Sequence, residues 1–284
     1  MTKQPSIELL SILNDHVFRR IFGQLSVDSL ADFLSVVLDI PLDELTELQV
    51  EDPNLYRDSK DGKVGELDVR VRTKNKEIVH VEIQLNPVDA FGSRIAFYNA
   101  RIFSRQLKKG EDYAELKRTI SVVIVNYNLF PEYSDCVNRF RWYNINNGAL
   151  LTDAQEINTI DLTKLPKSDD GVKLWKWLRF LTLQKEDEMD ELAGDNSAMK
   201  NVIVHLREMS ADETERRLAE EAEKQRRDMV ASRMYGEKIG EARGLEQGAT
   251  IRSIEIARNM KADGDPIEKI ARNTGLSEDV IVAL

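Results

Sequence analysis

Residues 65–84 read GELDVRVRTKNKEIVHVEIQ, and the alternation within them decides the fold. Leu67, Val69 and Val71 alternate with Asp68, Arg70 and Arg72; Val79, Val81 and Ile83 alternate with His80, Glu82 and Gln84. A period of two marks strands with one apolar face. The TKNKE stretch between them turns the chain, although it lacks the Asn-Gly pair of the tightest hairpins. A turn about Asn75 sets Asp68 opposite Glu82 and Glu66 opposite Gln84, with all four side chains on one face. Directly opposed residues lie about 5 Å apart at Cβ, so unneutralised acids there repel. Parity follows from the alternation; the exact pairing depends on the register.

Two readings of that polar face follow. In one, Arg70, Arg72 and the nearby lysines pair with the acids on a wet sheet surface. In the other, Asp68 and Glu82 are hard oxygen ligands for Mg²⁺, a cation that keeps several waters and sits between carboxylates and phosphate. A metal there polarises a phosphodiester and acidifies a bound water. The backbone carbonyl of Ile83 is a candidate additional ligand. His80 shares the face as a candidate base, or as a supporting or surface residue.

Outward from the hairpin, helical spacing appears on both sides. Val17, Ile21 and Leu25, then Leu30, Phe33, Leu34, Val37 and Leu38, predict two helices before Pro41. PLDELTEL adds a short helical turn. After Pro87, Phe91, Ile95, Tyr98 and Ile102 predict a third helix. Arg94, Tyr98, Arg101 and Arg105 form a second stripe on it. Arginines so placed clamp phosphate through paired hydrogen bonds, and Tyr98 either stacks on a substrate or packs in the core. TISVVIV, 119–125, predicts a central strand, with shorter strands near NRFRWYNIN and EINTIDLTKL. The order helix, hairpin, helix, strand predicts an α/β (mixed α+β) domain, helices against a mixed sheet.

Beyond Lys173 the pattern is helical, with Trp175, Leu178 and Leu181 on one face. From Ala211 it becomes a charged arm with Gly236, Gly240, Gly244 and Gly248 at every fourth residue. A solvated helix or coiled-coil arm is the plain reading. The tail DPIEKIARNTGLSEDVIVAL predicts two short helices joined at Thr274-Gly275, a shape that either reads DNA or simply packs two helices. The expected domains are 1–210, a nuclease-like core; 211–250, the arm; and 251–284, a small helix-turn-helix-like segment.

Composition sets the bounds. With 284 residues, 42% hydrophobic and 32% charged, the chain suits one large domain plus a smaller part. A net charge of -10 argues against indiscriminate coating of nucleic acid, though not against a local basic groove. One cysteine, Cys136, excludes an internal disulfide and a cysteine-based zinc site, and three histidines make a histidine-rich centre a poor fit. MTKQPSIELL lacks a signal peptide's apolar run, and no stretch approaches membrane-spanning length, so the expected compartment is the cytoplasm with no membrane partner. Serine-elbow, glycine-rich nucleotide and HExxH motifs are absent.

NDHVFRRIFG, GELDVRVR, VHVEIQLN and FGSRIAFYNARIFSRQLKKGEDYAELKRTISVVIVN together resemble the Rpn family of recombination-promoting nucleases and transposases, within the PD-(D/E)XK nuclease superfamily. YGEKIGEARGLEQG and TGLSEDVI extend the likeness along the chain. The resemblance implies a restriction-endonuclease-like sheet of about four strands flanked by helices. It also implies metal-dependent hydrolysis of DNA in recombination or mobile-element biology. It makes Asp68 and Glu82 the core acids and puts Gln84 where the superfamily has lysine, as members of the family often do. Asp15 becomes an upstream acid, with a helix-end acid as its alternative. The expectation is then a Mg²⁺-dependent endonuclease, with Mn²⁺ able to substitute. Asp68 and Glu82 bind metal, helped by Asp15 or Glu66, and Gln84 orients water or substrate. Arg94, Tyr98 and Arg101 contact DNA, and the arm mediates homo-oligomerisation. The rival expectation is a nuclease fold that binds DNA or protein without cutting.

Overall fold

The computed structural model describes residues 8–51, 69–169 and 171–284, which divide into two compact units, Met1–Glu223 and Lys224–Leu284. In the first, six strands form one mixed sheet: β1 Gln49–Val50, β2 Val69–Arg72, β3 Ile78–Gln84, β4 Thr119–Val125, β5 Val137–Tyr143 and β6 Leu150–Asp161. Their spatial order is β1-β2-β3-β4-β6-β5. The pairs β3–β4 and β4–β6 are parallel and the other three antiparallel. Five of these strands, β2 to β6, stand where the alternating and apolar runs predict them, one more than the four or so that the family resemblance implies. The sixth, β1, is too short to show a period. β6 enters between β4 and β5, a long-range arrangement that local spacing does not encode.

All seven residues of β4 are buried, as a parallel strand covered on both faces requires. On one face Val69, Val71, Val79, Val81, Ile83, Ile120, Val122, Ile124 and Ile160 join the main core. That core is shared with α1 (Asp15–Arg20) and α2 (Val27–Leu38), and with α4 (Lys173–Leu181), α5 (Glu186–Ala193) and α6 (Ser197–Ala211). A π-helical turn, Ile21–Leu25, extends α1 before the chain bends by 104° into α2. Among the described residues no single helix is long and apolar enough to cross a membrane.

The opposite face is covered by α3 (Phe91–Ser104), where Ile95 packs on Val123 and Val125 and Ile102 on Ile78. The buried residues of α3 are Ile95, Asn99 and Ile102, so Asn99 takes the core position that apolar spacing gives to Tyr98. Asn99 Nδ2 donates to Ser121 Oγ at 2.8 Å, the Glu156 carbonyl at 3.1 Å and the Thr119 carbonyl at 3.3 Å. Its Oδ1 accepts from Gln155 Nε2 at 3.0 Å. Asn99 thus ties α3 to β4 and β6 where a leucine would slide. Asn99→Leu fills the space but takes from Gln155 its bond to Asn99 and leaves Ser121 only His80, and is expected to cost about 2 kcal/mol. Urea unfolding of the variant beside the parent measures it.

The helix α7 runs unbroken from Glu213 to Ala262 through all four spaced glycines. Its last turns carry the core of the second unit, where Ala257, Ile270 and Ile281 meet. There α8 (Ile267–Thr274) and α9 (Glu278–Ala283) form the expected helical pair. The turn between them rests on Gly275, whose φ of 71° suits a residue without Cβ.

Candidate nuclease site

The hairpin register is Val69↔Val81, Arg70↔His80, Val71↔Val79 and Arg72↔Ile78, a turn centred on Asn75 as the sequence predicts. Asp68 and Glu66 lie outside the described residues. Across the sheet, β3 pairs in parallel with β4, so that Glu82 lies beside Val123 and Gln84 beside Val125. The polar face of β3 is not wet. His80 and Glu82 are buried beneath α3, and that overturns the picture of a solvated surface. Arg70 and Arg72 are also not the partners of Glu82. Both bind Glu51, at 2.9 Å and 2.6 Å, because Glu51 follows β1 and its N–H bonds to the Arg70 carbonyl.

Arg94 neutralises Glu82 instead. Its Nη2 donates to Glu82 Oε1 at 2.9 Å and its Nη1 to Gln84 Oε1 at 3.3 Å, so one guanidinium grips both polar side chains of the E-x-Q strand. Gln84 Nε2 donates onward to the Asn86 carbonyl at 3.0 Å. The Tyr98 ring lies 5.7 Å from the guanidinium carbon, one helical turn along, and adds a cation–π contact. Arg101 stands two turns from Arg94 on α3 and is half-buried. Burying a carboxylate costs several kcal/mol unless it is paired, and Arg94, with its other nitrogen on Gln84, binds only one oxygen of Glu82. Among the described residues Glu82 Oε2 is buried with no hydrogen-bond partner, and so is His80 Nε2, 3.9 Å away. The other ring nitrogen, Nδ1, lies 3.0 Å from Ser121 Oγ.

Asp15 is the first residue of α1, capped by Asn14, whose side chain accepts from His16 N and Val17 N. An acid there suits the helix dipole. Among the described residues no three His, Cys, Asp or Glu side chains gather as a metal-holding group. The Ile83 side chain belongs to the main core, on the far face from Glu82.

Two features at the sheet went unread in the sequence. Tyr127, just beyond β4, meets Phe91 edge-on at 6.4 Å, and its hydroxyl is buried without a partner among the described residues. Burial pushes its pKa up to about 12; Arg94 opposes the shift, while Glu82 and Asp161 add to it. Of the seven tyrosines one is therefore expected to titrate near 12 and to vanish from the absorbance titration of Tyr127→Phe. Between pH 10 and 12 the unfolded chain releases that proton and the folded chain keeps it, so stability from this group falls as pH rises. The second feature is Glu156. Burial pushes its carboxyl up, but bonds from Asn158, Arg118 and Arg141 outweigh this and hold it below the usual range. Glu156 pairs with Ile120 near the start of β4, remote along the strands from Gln84, and is a structural charge cluster.

The chain is thus an α/β protein with a mixed sheet, whose third strand holds a buried acid and an amide under one arginine. A family model described as PD-(D/E)XK nuclease family transposase matches residues 12–236, and the chain belongs to that family. No curated protein and no solved structure was found to match it.

Proposed function

We propose that this protein is a metal-dependent DNA endonuclease of the Rpn type, acting in recombination or mobile-element biology. The observation that carries the reading is the buried Oε2 of Glu82, unpartnered among the described residues, a hard oxygen with its partner oxygen already held by Arg94. Such an atom fits a divalent cation better than it fits an apolar pocket. Glu82 and Asp68, with the Ile83 carbonyl, would hold Mg²⁺ or Mn²⁺, and Asp15 or Glu66 would supply a further acid. When bound, the metal supplies Lewis-acid polarisation of the phosphodiester and a more acidic water. Gln84 orients water or substrate through its amide. Arg94 holds Gln84 and Glu82 in register, and with Tyr98 and Arg101 it lines the side from which the DNA strand approaches.

A second reading has its own support. With Arg94 already neutralising Glu82, and glutamine where a lysine would stabilise developing charge, the fold can bind DNA or protein without cutting. Nicking of supercoiled plasmid by the full chain with Mg²⁺, Mn²⁺, Ca²⁺ or EDTA decides between them. Metal-dependent cutting that disappears in Asp68→Ala is the expected result. Intact plasmid, with no calorimetric Mg²⁺ binding by the folded parent, establishes the second reading.

A further inference from the structure

The outer hairpin of the sheet carries an apolar surface that no described residue of the first unit covers. β4 pairs with β6 only from Gln155 onward, so residues 150–154 project past the sheet paired with β5 alone. On this ribbon Phe140, Trp142, Tyr143, Ile145, Leu150 and Leu151 are exposed, from 44% at Phe140 to 98% at Ile145. The tip is ordered by its own bonds. Gly148 N donates to the Asn144 carbonyl and Asn144 N to the Ala149 carbonyl, both at 2.8 Å, while Asn144 Oδ1 accepts from Asn146 N at 2.8 Å. Gly148 supplies the φ of 73° that the turn needs. The ribbon is rigid and apolar, and a rigid presentation lowers the entropy cost of docking.

We infer that this β5–β6 hairpin is a self-association surface, on which a second copy of the chain packs hairpin against hairpin across a two-fold axis. Size is the first argument. At about 200 Å² for a large apolar side chain, the six exposures leave roughly 750 Å² over the tip and the two faces of the ribbon, and a copy that clasps the ribbon from both sides reaches most of the ~800 Å² per partner of a standard stable interface. Charge is the second. WYNINNGALLT, 142–152, has no charged residue in a chain that is 32% charged. Its neighbouring arginines are committed, Arg139 to the Val37 carbonyl and Arg141 to Glu156. A nucleic acid needs free cations along its backbone, whereas an identical apolar ribbon needs none. The register shifts between Phe140, Trp142 and Tyr143 disturb the outer edge of β5, so the copies meet through side chains rather than by adding strand to strand. The arm offers a poorer surface: Met229, Tyr235, Leu245 and Ile251 are exposed on α7 but separated by charges.

Sedimentation velocity of the full chain between about 1 and 50 μM tests this, alongside Ile145→Asp/Leu151→Asp, two exposed positions whose change is expected to leave the circular dichroism spectrum as in the parent. The parent is expected to sediment at twice its 32.5 kDa mass and the double variant at 32.5 kDa. Trp142 adds a local readout, because Trp175 and Trp177 are buried. Acrylamide quenching of the parent should fall as its concentration rises, and that of the variant should not. A parent that stays monomeric throughout, or a variant that still dimerises, overturns the inference. So does a Trp142 protected only by phosphatidylglycerol vesicles, which would make the ribbon a lipid contact.

Discussion

Glu82→Gln is expected to lower metal-dependent nicking on the order of 1,000-fold while leaving the protein folded. The size follows from the chemistry: a hard-ligand site contributes several kcal/mol of charge stabilisation in the transition state, and each 1.4 kcal/mol is tenfold in rate. The choice of glutamine follows from the structure. Its amide oxygen still accepts from Arg94 Nη2, and Arg94, a third exposed, can turn its remaining charge to water. An alanine would instead leave a void between α3 and β3, so lost activity could be mistaken for lost packing. Calorimetric Mg²⁺ binding should vanish with the activity, with the melting temperature within a few degrees of the parent. Full cutting by this variant would place the chemistry elsewhere and end the case for the E-x-Q strand.

The strands were legible where burial enforced a period. β4 is read directly from seven consecutive residues that all need cover, and the parity of β2 and β3 follows from Val69, Val71, Val79 and Val81 sharing one apolar face, with the turn about Asn75 fixing the register. What the period does not say is what covers the other face. His80 and Glu82 look like surface residues because polar side chains usually are, yet α3 lies over them and brings its own polar residue, Asn99, into the seam. The partner of Glu82 comes from Arg94, twelve residues on, while Arg70 is taken by Glu51, whose approach depends on the two-residue strand β1. Such pairings are tertiary choices between several nearby cations, and spacing alone ranks none of them. The Gly-spaced arm was legible as helix for the opposite reason: its glycines meet no neighbour within 4 Å, so no contact competes with local propensity.

The larger stability effect is expected at Trp177→Ala, about 4 kcal/mol. Trp177 is 1% exposed on α4 and is ringed by Phe33 and Phe180 at 5.7 Å and Phe22 at 6.5 Å. Truncating a core tryptophan removes its transfer energy and leaves a cavity that three aromatic neighbours cannot close, which typically costs 3–5 kcal/mol. A polar link is lost as well. Trp177 Nε1 donates at 2.7 Å to Asp32 Oδ2 on α2, and that oxygen also accepts from Asn196 Nδ2 at 3.1 Å. Asn196 in turn caps α6 through its bond from Met199 N. One indole therefore joins α2, α4 and the start of α6, the helices that back the sheet on the face away from Glu82. Trp177→Phe restores most of the ring but not the donor, and should recover about half the loss, since Asp32 keeps Asn196. For a unit of this size about 4 kcal/mol lowers the melting temperature by roughly 10 °C. Thermal unfolding followed by circular dichroism measures all three chains. A loss below about 1.5 kcal/mol in the alanine variant would mean that the aromatic cluster is not the packed centre described. A phenylalanine variant as weak as alanine would move the energy from the rings to the Asp32 bond.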